Sequence, residues 1–273
     1  MSLHLSPKPS DPSIAVPSIS VIMPVYNGAA FLDRAFASLT AQTFANFEVI
    51  AVDDASIDDS AQGLAAFAAS DSRVRVYFHD SNRGQAAARN TALNAAQGGW
   101  IAYLDQDDEF AADHFAHVWE WRHKADVLLF RYDLIEERPG FPRLGLATPY
   151  DPSARSAYMF RETIAVPLGV VHRQALLERV GKFNEAMGRF RGQDEDGDLW
   201  RRFAKAGASF IGVPHSSGRY HVRADSFART RPMPPSTSPS GDLPPGVFAV
   251  DVARDSAGKT IWLPQADAPP VSE

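Results

Sequence analysis

Apolar, strand-like segments alternate with helix-like segments over the first half of the chain, and this alternation limits it to few folds. Strands are predicted at residues 18–25, 47–52, 74–78 and 100–104. Helical spacing of apolar residues predicts helices at 31–39, 60–69 and 85–96. Strands joined by helices through short connections favour right-handed crossovers and a buried, mostly parallel sheet. The sequence therefore predicts an α/β fold whose sheet is sandwiched by helices.

The fourth predicted strand ends in a cluster of acids. Residues 105–109 read Asp-Gln-Asp-Asp-Glu, directly after the strand-like run at 100–104. Carboxylates packed so closely repel one another, and a divalent cation would remove that repulsion, because Mg²⁺ and Mn²⁺ prefer oxygen ligands. A metal held by few protein groups keeps coordination sites for a substrate phosphate. Taken alone, the cluster is equally well explained as a solvated acidic turn.

Two other strand ends carry candidate functional residues. Tyr26 and Asn27 follow the first strand, and Asp53 and Asp54 follow the second. Ligands of open parallel sheets bind outside the carboxyl ends of the strands. We therefore expect these residues and the acid cluster to face one crevice, which favours a cation site over a solvated turn.

Composition limits which partners the chain can bind and which cellular compartment we predict for it. The chain has 273 residues and a net charge of −6, which argues against a general affinity for nucleic acid. It has no cysteine, which excludes disulfides, thiolate metal sites and cysteine nucleophiles. No apolar run reaches the roughly 20 residues of a membrane span, and the N-terminus lacks a signal-peptide core. We predict a cytoplasmic protein, with peripheral contact at the inner membrane face as an open alternative.

Five short blocks occur in a fixed order along the chain. They are ISVIMPVYNG at 19–28, QTFANFEVIAVDDAS at 42–56, NRG at 82–84 with ARN at 88–90, LDQDD at 104–108, and EDGDLWR at 195–201. Together they resemble family 2 glycosyltransferases, which have the GT-A fold; the last two blocks resemble that family's DxD and ED motifs. The resemblance implies an inverting transfer of a sugar from a nucleotide-sugar donor, preferentially UDP-linked. The implied acceptor is a hydroxyl of a saccharide or lipid-linked saccharide.

The resemblance implies a role for each residue of the donor site. Pro24 and Tyr26 would line the base pocket, with the Tyr26 ring stacked on the base. Asp54 would accept the imide N–H of the base, which selects uracil or thymine over cytosine. Asp105 would face the ribose. Asp107 would bind the Mn²⁺ or Mg²⁺ that bridges the diphosphate and neutralises charge on the leaving group.

The resemblance also implies that Asp196 is the general base. A single displacement with inversion needs a carboxylate opposite the leaving group to deprotonate the acceptor hydroxyl. Asp196 lies at the start of a predicted helix, where the partial positive charge of the helix N-terminus keeps it ionised. Asp194, Glu195 and Asp196 would each serve as a helix cap, and only the resemblance singles out Asp196.

Several other polar residues are expected to have no direct part in the chemistry. Ser56 and Asp58 are of turn and cap type and are interpreted as structural. Asp108 and Glu109 are expected to be solvated. Arg89 is interpreted as an exposed helix arginine in preference to a phosphate contact.

The segment after the predicted strand at 209–213 departs from the family pattern. The family often has Tyr-Arg-x-His there, whereas this chain has Tyr220-His221-Val222-Arg223. Arg223 cannot ligate a metal but could clamp the diphosphate bidentately. The family's histidine can approach the metal or the diphosphate, and His221 and His215 are candidates to replace it. This departure keeps open an alternative function, that of a non-catalytic nucleotide-sugar-binding module in a larger assembly.

The predicted domain organisation has three parts. A Pro- and Ser-rich leader (1–17) and tail (230–273) are expected to be disordered, apart from short strands near 247–252 and 260–263. Residues 18–229 would form the GT-A domain, with a nucleotide-binding half at 18–108 and an acceptor half at 109–229. Within the acceptor half we expect helices at 113–124, 173–180 and 195–206, and strands at 127–132 and 209–213.

Overall fold

The computed structural model describes most of the predicted domain and short parts of the tail. The described residues are 16–136, 144–146, 157–158, 166–187, 195–222, 247–248, 250–254 and 260–264. The predicted disorder of the leader and tail falls largely outside these residues, and so does the predicted diphosphate contact Arg223.

Among the described residues, the main sheet has nine strands and is flanked by six α-helices. Its strands are β1 (Ile19–Val25), β2 (Phe47–Asp53), β3 (Val74–Phe78), β4 (Trp100–Tyr103), β5 (Glu109–Phe110), β6 (Val127–Glu136), β7 (Leu144–Leu146), β9 (Val170–Arg173) and β10 (Phe210–Val222). The helices are α1 (Leu32–Thr40), α2 (Ser60–Ser70), α3 (Gln85–Ala95), α4 (His114–Trp121), α5 (Ala175–Val180) and α6 (Glu195–Lys205).

The strand order of the main sheet is β3-β2-β1-β4-β9-β6-β10-β5, with β7 paired to β6. Neighbours from β3 to β4 pair in parallel, and so do β6 and β10. The strand β9 is antiparallel to both β4 and β6, and β5 is antiparallel to β10. A mostly parallel sheet is therefore confirmed.

Helices cover both faces of the sheet, which explains why its central strands are continuous apolar runs. All seven residues of β1 and all seven of β2 are buried. On one face, Val21 and Met23 belong to the core that α1, α2 and α4 cover. On the other face, Ile22 and Ile50 belong to the core that α3, α5 and α6 cover.

The structure corrects the bounds of predicted elements in the acceptor half. The segment Val170–Arg173 is a strand, so the helix predicted from 173 begins two residues later, at Ala175. The strand predicted at 209–213 runs from Phe210 to Val222. It continues past a bulge between Val213 and Arg219, where the register with β6 shifts twice.

Two small strand pairs lie outside the main sheet. The strand β8 (Ala157–Tyr158) pairs with β11 (Val247–Phe248), and β12 (Val250–Arg254) pairs with β13 (Thr260–Pro264). The short strands expected in the tail are thus present. Within the described ranges, the helices are all too short or too polar to cross a membrane.

Candidate active site

The carboxyl ends of β1, β2 and β4 meet at one edge of the sheet, as predicted. The backbone N–H of Asp54 donates to the carbonyl of Val25 at 2.8 Å. The Gln106 side chain binds the Tyr26 backbone twice: its Oε1 accepts from the Tyr26 N–H at 2.8 Å, and its Nε2 donates to the Tyr26 carbonyl at 3.1 Å. Gln106 was not singled out from the sequence, because nothing in the pattern distinguishes it from a solvated turn residue.

Two of the candidate base-pocket residues lie on β1 or directly after it. Pro24 is buried in β1 opposite Val52 of β2. Tyr26 follows the strand and is 44% exposed. An exposed ring at this edge suits stacking on a base, and that role stays a prediction.

Asp54 is buried and accepts three hydrogen bonds from the β3–α3 connection. Its Oδ1 is 2.6 Å from Nδ1 of His79 and accepts from the backbone N–H of Arg83 at 2.9 Å. Its Oδ2 accepts from the backbone N–H of Gly84 at 2.7 Å. A carboxylate offers about four acceptor positions. The predicted bond to a base would therefore use the one that remains.

The two residues interpreted as structural have that role. Ser56 Oγ accepts from the backbone N–H of Asn27 at 2.9 Å. Asp58 accepts from the backbone N–H of Ala29 at 3.0 Å and binds Ser60 through both its hydroxyl and its N–H. These bonds tie the loop after β2 to the turn after β1.

The acids after β4 divide between exposed and buried positions. Asp105 and Asp107 are partly exposed, whereas Asp108 is 1% exposed. Asp108 Oδ1 accepts from the backbone N–H of His221 at 2.9 Å, and its Oδ2 has no hydrogen-bond partner among the described residues. Burial, together with the charges of Asp107 and Asp105, raises the pKa of Asp108 well above its usual range. The prediction that Asp108 is solvated is wrong.

Glu109, the last residue of the acid cluster, is paired with His221. Nε2 of His221 lies 2.8 Å from Oε1 of Glu109, and Arg219 approaches the other oxygen at 3.4 Å. Glu109 therefore pairs with residues of β10 while its side chain stays 23% exposed, so it is only partly solvated. The predicted diphosphate contact of His221 stays a prediction.

His215, the other candidate to replace the missing histidine, faces α4. Its ring stacks on the ring of His117 with centroids 3.5 Å apart. The neighbouring charges that shift its pKa belong to His117, Glu120, Asp113 and Arg131, and none belongs to the acid cluster. This placement favours a packing role for His215.

The catalytic candidate Asp196 lies in the first turn of α6, as predicted. The helix begins at Glu195, and the Asp196 side chain is partly buried. Burial raises the pKa of Tyr132, and the negative charges of Asp108 and Asp196 raise it further. Asp196 therefore lies in the same electrostatic neighbourhood as the acid cluster.

Arg89 is the main residue whose position was predicted wrongly. It is 1% exposed, and therefore not an exposed helix arginine. Its Nη2 donates to Oδ1 and Oδ2 of Asp105 at 2.9 and 3.2 Å, and its Nη1 donates to Oε1 of Glu195 at 3.1 Å. The sequence did hold a signal, because Ala86, Ala87, Ala88 and Ala92 surround Arg89 with small residues. Small residues on all sides of α3 indicate a helix packed closely on its neighbours.

The acid cluster suits a cation that is held only in part by protein. Within the described ranges, no group of three or more His, Asp or Glu side chains is arranged to hold a metal ion. The charges of Asp105 and Asp107 both act on buried Asp108, so a divalent cation at the exposed side would offset real repulsion. These donors fit a Mg²⁺ or Mn²⁺ that takes its remaining ligands from a diphosphate and water.

The fold and the edge together define the class of protein. A mostly parallel sheet covered on both faces, with carboxylates at successive strand ends, has the GT-A architecture. The chain belongs to glycosyl transferase family 2, whose family model matches residues 20–181, more than half of the chain.

Curated relatives match less than half of the chain. An uncharacterized glycosyltransferase of Haemophilus influenzae is 43% identical over 98 residues, covering 36% of this chain and 39% of the relative. The glycosyltransferase GlyA of Streptococcus pneumoniae is 33% identical over 124 residues, covering 45% of this chain and 18% of the relative. The chain thus spans less than two fifths of the length of either relative.

Solved structures share the fold over more of the chain. TarS of S. aureus, residues 1–349 in complex with UDP-GlcNAc, is 24% identical with a TM-score of 0.61, covering 78% of this chain and 61% of that TarS fragment. The mannosyltransferase PcManGT of Pyrobaculum calidifontis, in complex with GDP-Man and Mn²⁺, is 21% identical with a TM-score of 0.60. That match covers 79% of this chain and 60% of PcManGT.

Proposed function

We propose that this chain is an inverting, metal-dependent glycosyltransferase that uses a UDP-sugar. Family membership supports sugar transfer, and the TarS structure with UDP-GlcNAc shows that this fold can hold such a donor. The observation that carries the proposal is that one side chain, Arg89, connects the acid cluster to the start of α6. Arg89 contacts Asp105 after β4 and Glu195, the residue before Asp196.

The number of free acceptor positions on Asp54 favours uridine over guanosine. Three donors already bind this carboxylate, so it has room for about one further N–H. Uracil presents a single imide N–H, whereas guanine presents an N–H and an amino group that suit two free carboxylate oxygens. Tyr26 would stack on the base, with Pro24 lining the pocket beside it.

In the proposed reaction the acceptor hydroxyl attacks the anomeric carbon as the bond to the UDP oxygen breaks. Asp196 takes the proton of that hydroxyl. Asp107 would hold the divalent cation, with Asp105 on the ribose side, and the cation would stabilise the departing diphosphate as a Lewis acid. The acceptor is proposed to be a saccharide or lipid-linked saccharide.

The donor site is tested by titrating UDP and GDP into the protein calorimetrically, with and without Mn²⁺. We expect Mn²⁺-dependent UDP binding that is tighter than GDP binding. Asp107→Ala should weaken the Mn²⁺-dependent component by at least about tenfold. The control is Asp59→Ala, which removes an exposed acid before α2 and should leave UDP binding unchanged. A folded protein that binds neither nucleotide would contradict the proposal.

The general base is tested with Asp196→Asn in assays of UDP-sugar hydrolysis and transfer. We expect kcat to fall by about 10²- to 10⁴-fold, because the amide cannot take a proton from the acceptor. UDP affinity should stay at the wild-type value, since Asp196 is proposed to act on the acceptor side. If wild type binds UDP but consumes no UDP-sugar, the non-catalytic binding module becomes the better account.

A further inference from the structure

One buried guanidinium links the two halves of the proposed site. Arg89 lies on α3, Asp105 follows β4, and Glu195 starts α6, more than a hundred residues away from Arg89. The side chains of Arg89 and Glu195 are 2% and 8% exposed, and that of Asp105 is 20% exposed. Apolar side chains of α3 and α6 belong to one hydrophobic core, so the ion pair is an addition to the apolar packing of this layer.

The geometry uses properties that lysine lacks. The guanidinium is a planar fork, and Arg89 points one amino group at each acid, so that both bonds form from a single fixed plane. Phe183 lies over the guanidinium carbon at 5.3 Å from its ring centroid, which restricts the orientation of that plane.

The charges around Arg89 favour a permanently charged cation. Burial alone would lower the pKa of Arg89, but the charges of Asp105, Glu195 and Asp196 outweigh it and raise the pKa. Three acids therefore face one cation. Loss of Arg89 would leave buried Glu195 with its charge uncompensated beside Asp196, and such a carboxylate has to move or take up a proton.

We propose that Arg89 is a positioning residue, which through Glu195 holds Asp196 at a fixed place relative to the donor-side acid Asp105. Asp196 directly follows Glu195, so a displacement of the Glu195 carboxylate carries the first turn of α6 with it. The inference rests on the proposed function, because it assigns Arg89 to the alignment of the general base Asp196 with the donor. Catalysis depends strongly on such alignment, and a misplacement of about 1 Å costs about 10²-fold in rate.

The bonds of Arg89 to Asp105 and to Glu195 should have separable effects on donor binding and on catalysis. The bonds from Arg89 to Asp105 act on the ribose side and should affect donor affinity. The bond from Arg89 to Glu195 acts on the general base Asp196 and should affect kcat. Glu195→Gln keeps the size of the side chain and the bond from Arg89 to Asp105, but it replaces the ion pair by a weaker hydrogen bond from the guanidinium to an uncharged amide oxygen.

The test measures UDP affinity by calorimetry, and kcat and KM for UDP-sugar hydrolysis, in wild type, Glu195→Gln and Glu195→Asp. We expect the Kd for UDP to stay within about twofold and kcat to fall by about tenfold to 100-fold. Glu195→Asp keeps the charge but withdraws the carboxylate by one methylene. It should lose kcat as well, if position and not charge alone matters.

Asp198→Asn is the matched control on the same helix. Asp198 pairs with Arg202 at 2.9 Å one turn along α6 and is not among the acids whose charges act on Arg89, so wild-type kcat is expected. If Glu195→Gln and Glu195→Asp both keep wild-type kcat, or if UDP affinity falls as much as kcat, the positioning role is overturned. A wild-type protein that binds UDP and turns over its donor separates that result from failure of the proposed function; a wild type that consumes no donor overturns both.

Discussion

At the residue scale, His79 supports the acid that we assign to base recognition. Its Nδ1 lies 2.6 Å from Asp54, and its Nε2 lies 2.9 Å from Thr91 Oγ1. Because an ionised carboxylate only accepts hydrogen bonds, Nδ1 carries the proton. We predict that His79→Phe lowers the free energy of unfolding by about 1–3 kcal/mol and weakens UDP binding. Denaturant unfolding and calorimetry measure the two effects.

Thr91→Val is the matched control for that prediction. It removes the far hydrogen bond of His79 but keeps the donor to Asp54, so UDP affinity should match wild type. Equal UDP affinity in His79→Phe would mean that the backbone N–H groups of Arg83 and Gly84 suffice to orient Asp54.

The positions of the acids were predicted correctly where strand direction determines them, and wrongly where a contact with a distant strand determines them. The acids at 105 and 107 were placed at the correct edge because parallel strands end there together. Adjacent Asp108 turns inward because the backbone N–H of His221 binds it, at the far end of β10. That part of β10 was not predicted, so the burial of Asp108 could not be.

At the element scale, the connection from α3 to β4 depends on a close approach to β1. A Cβ at Gly98 would lie 2.6 Å from the backbone nitrogen of Ser20, whereas a Cβ at Gly99 would meet nothing within 4 Å. We predict that Gly98→Ala lowers the free energy of unfolding by about 1–3 kcal/mol, because backbone has to shift. Gly99→Ala should be close to neutral, and equal midpoints in urea unfolding would contradict the prediction.

The same scale shows why one half of the fold was predictable and the other was not. From β1 to β4, periodicity and turn residues predicted each element to within a few residues. The strand β9 has four residues, Val-Val-His-Arg, between a Pro-containing turn and a helix. So short a run has no measurable period. Its antiparallel place between β4 and β6 depends on partners far away in sequence.

At the scale of the whole molecule, each of the two cores contains a buried, neutral histidine. His114 lies among Phe110, Phe115 and Phe130 on one face of the sheet. His172 lies against Phe203 on the other face and binds the buried hydroxyl of Tyr103 at 2.7 Å. Burial lowers the pKa of His114 to about 3 and that of His172 to about 4. Both layers of the fold therefore share a sensitivity to acid.

This sensitivity has a definite sign. In the unfolded chain a histidine binds a proton below about pH 6.5, whereas the folded protein keeps both rings neutral until the pH is far lower. The unfolded state thus binds more protons, and stability falls as the pH drops from 6.5 towards 4. Each histidine contributes a slope of about 1.4 kcal/mol per pH unit in that window.

Neither ring nitrogen of His114 has a hydrogen-bond partner among the described residues. We predict that His114→Phe preserves stability at pH 7 and roughly halves the combined slope of the two histidines, measured by urea unfolding between pH 7 and 4.5. His123→Asn, at an exposed position, should retain the wild-type slope. If His114→Phe also retains it, the acid sensitivity of the fold has another source.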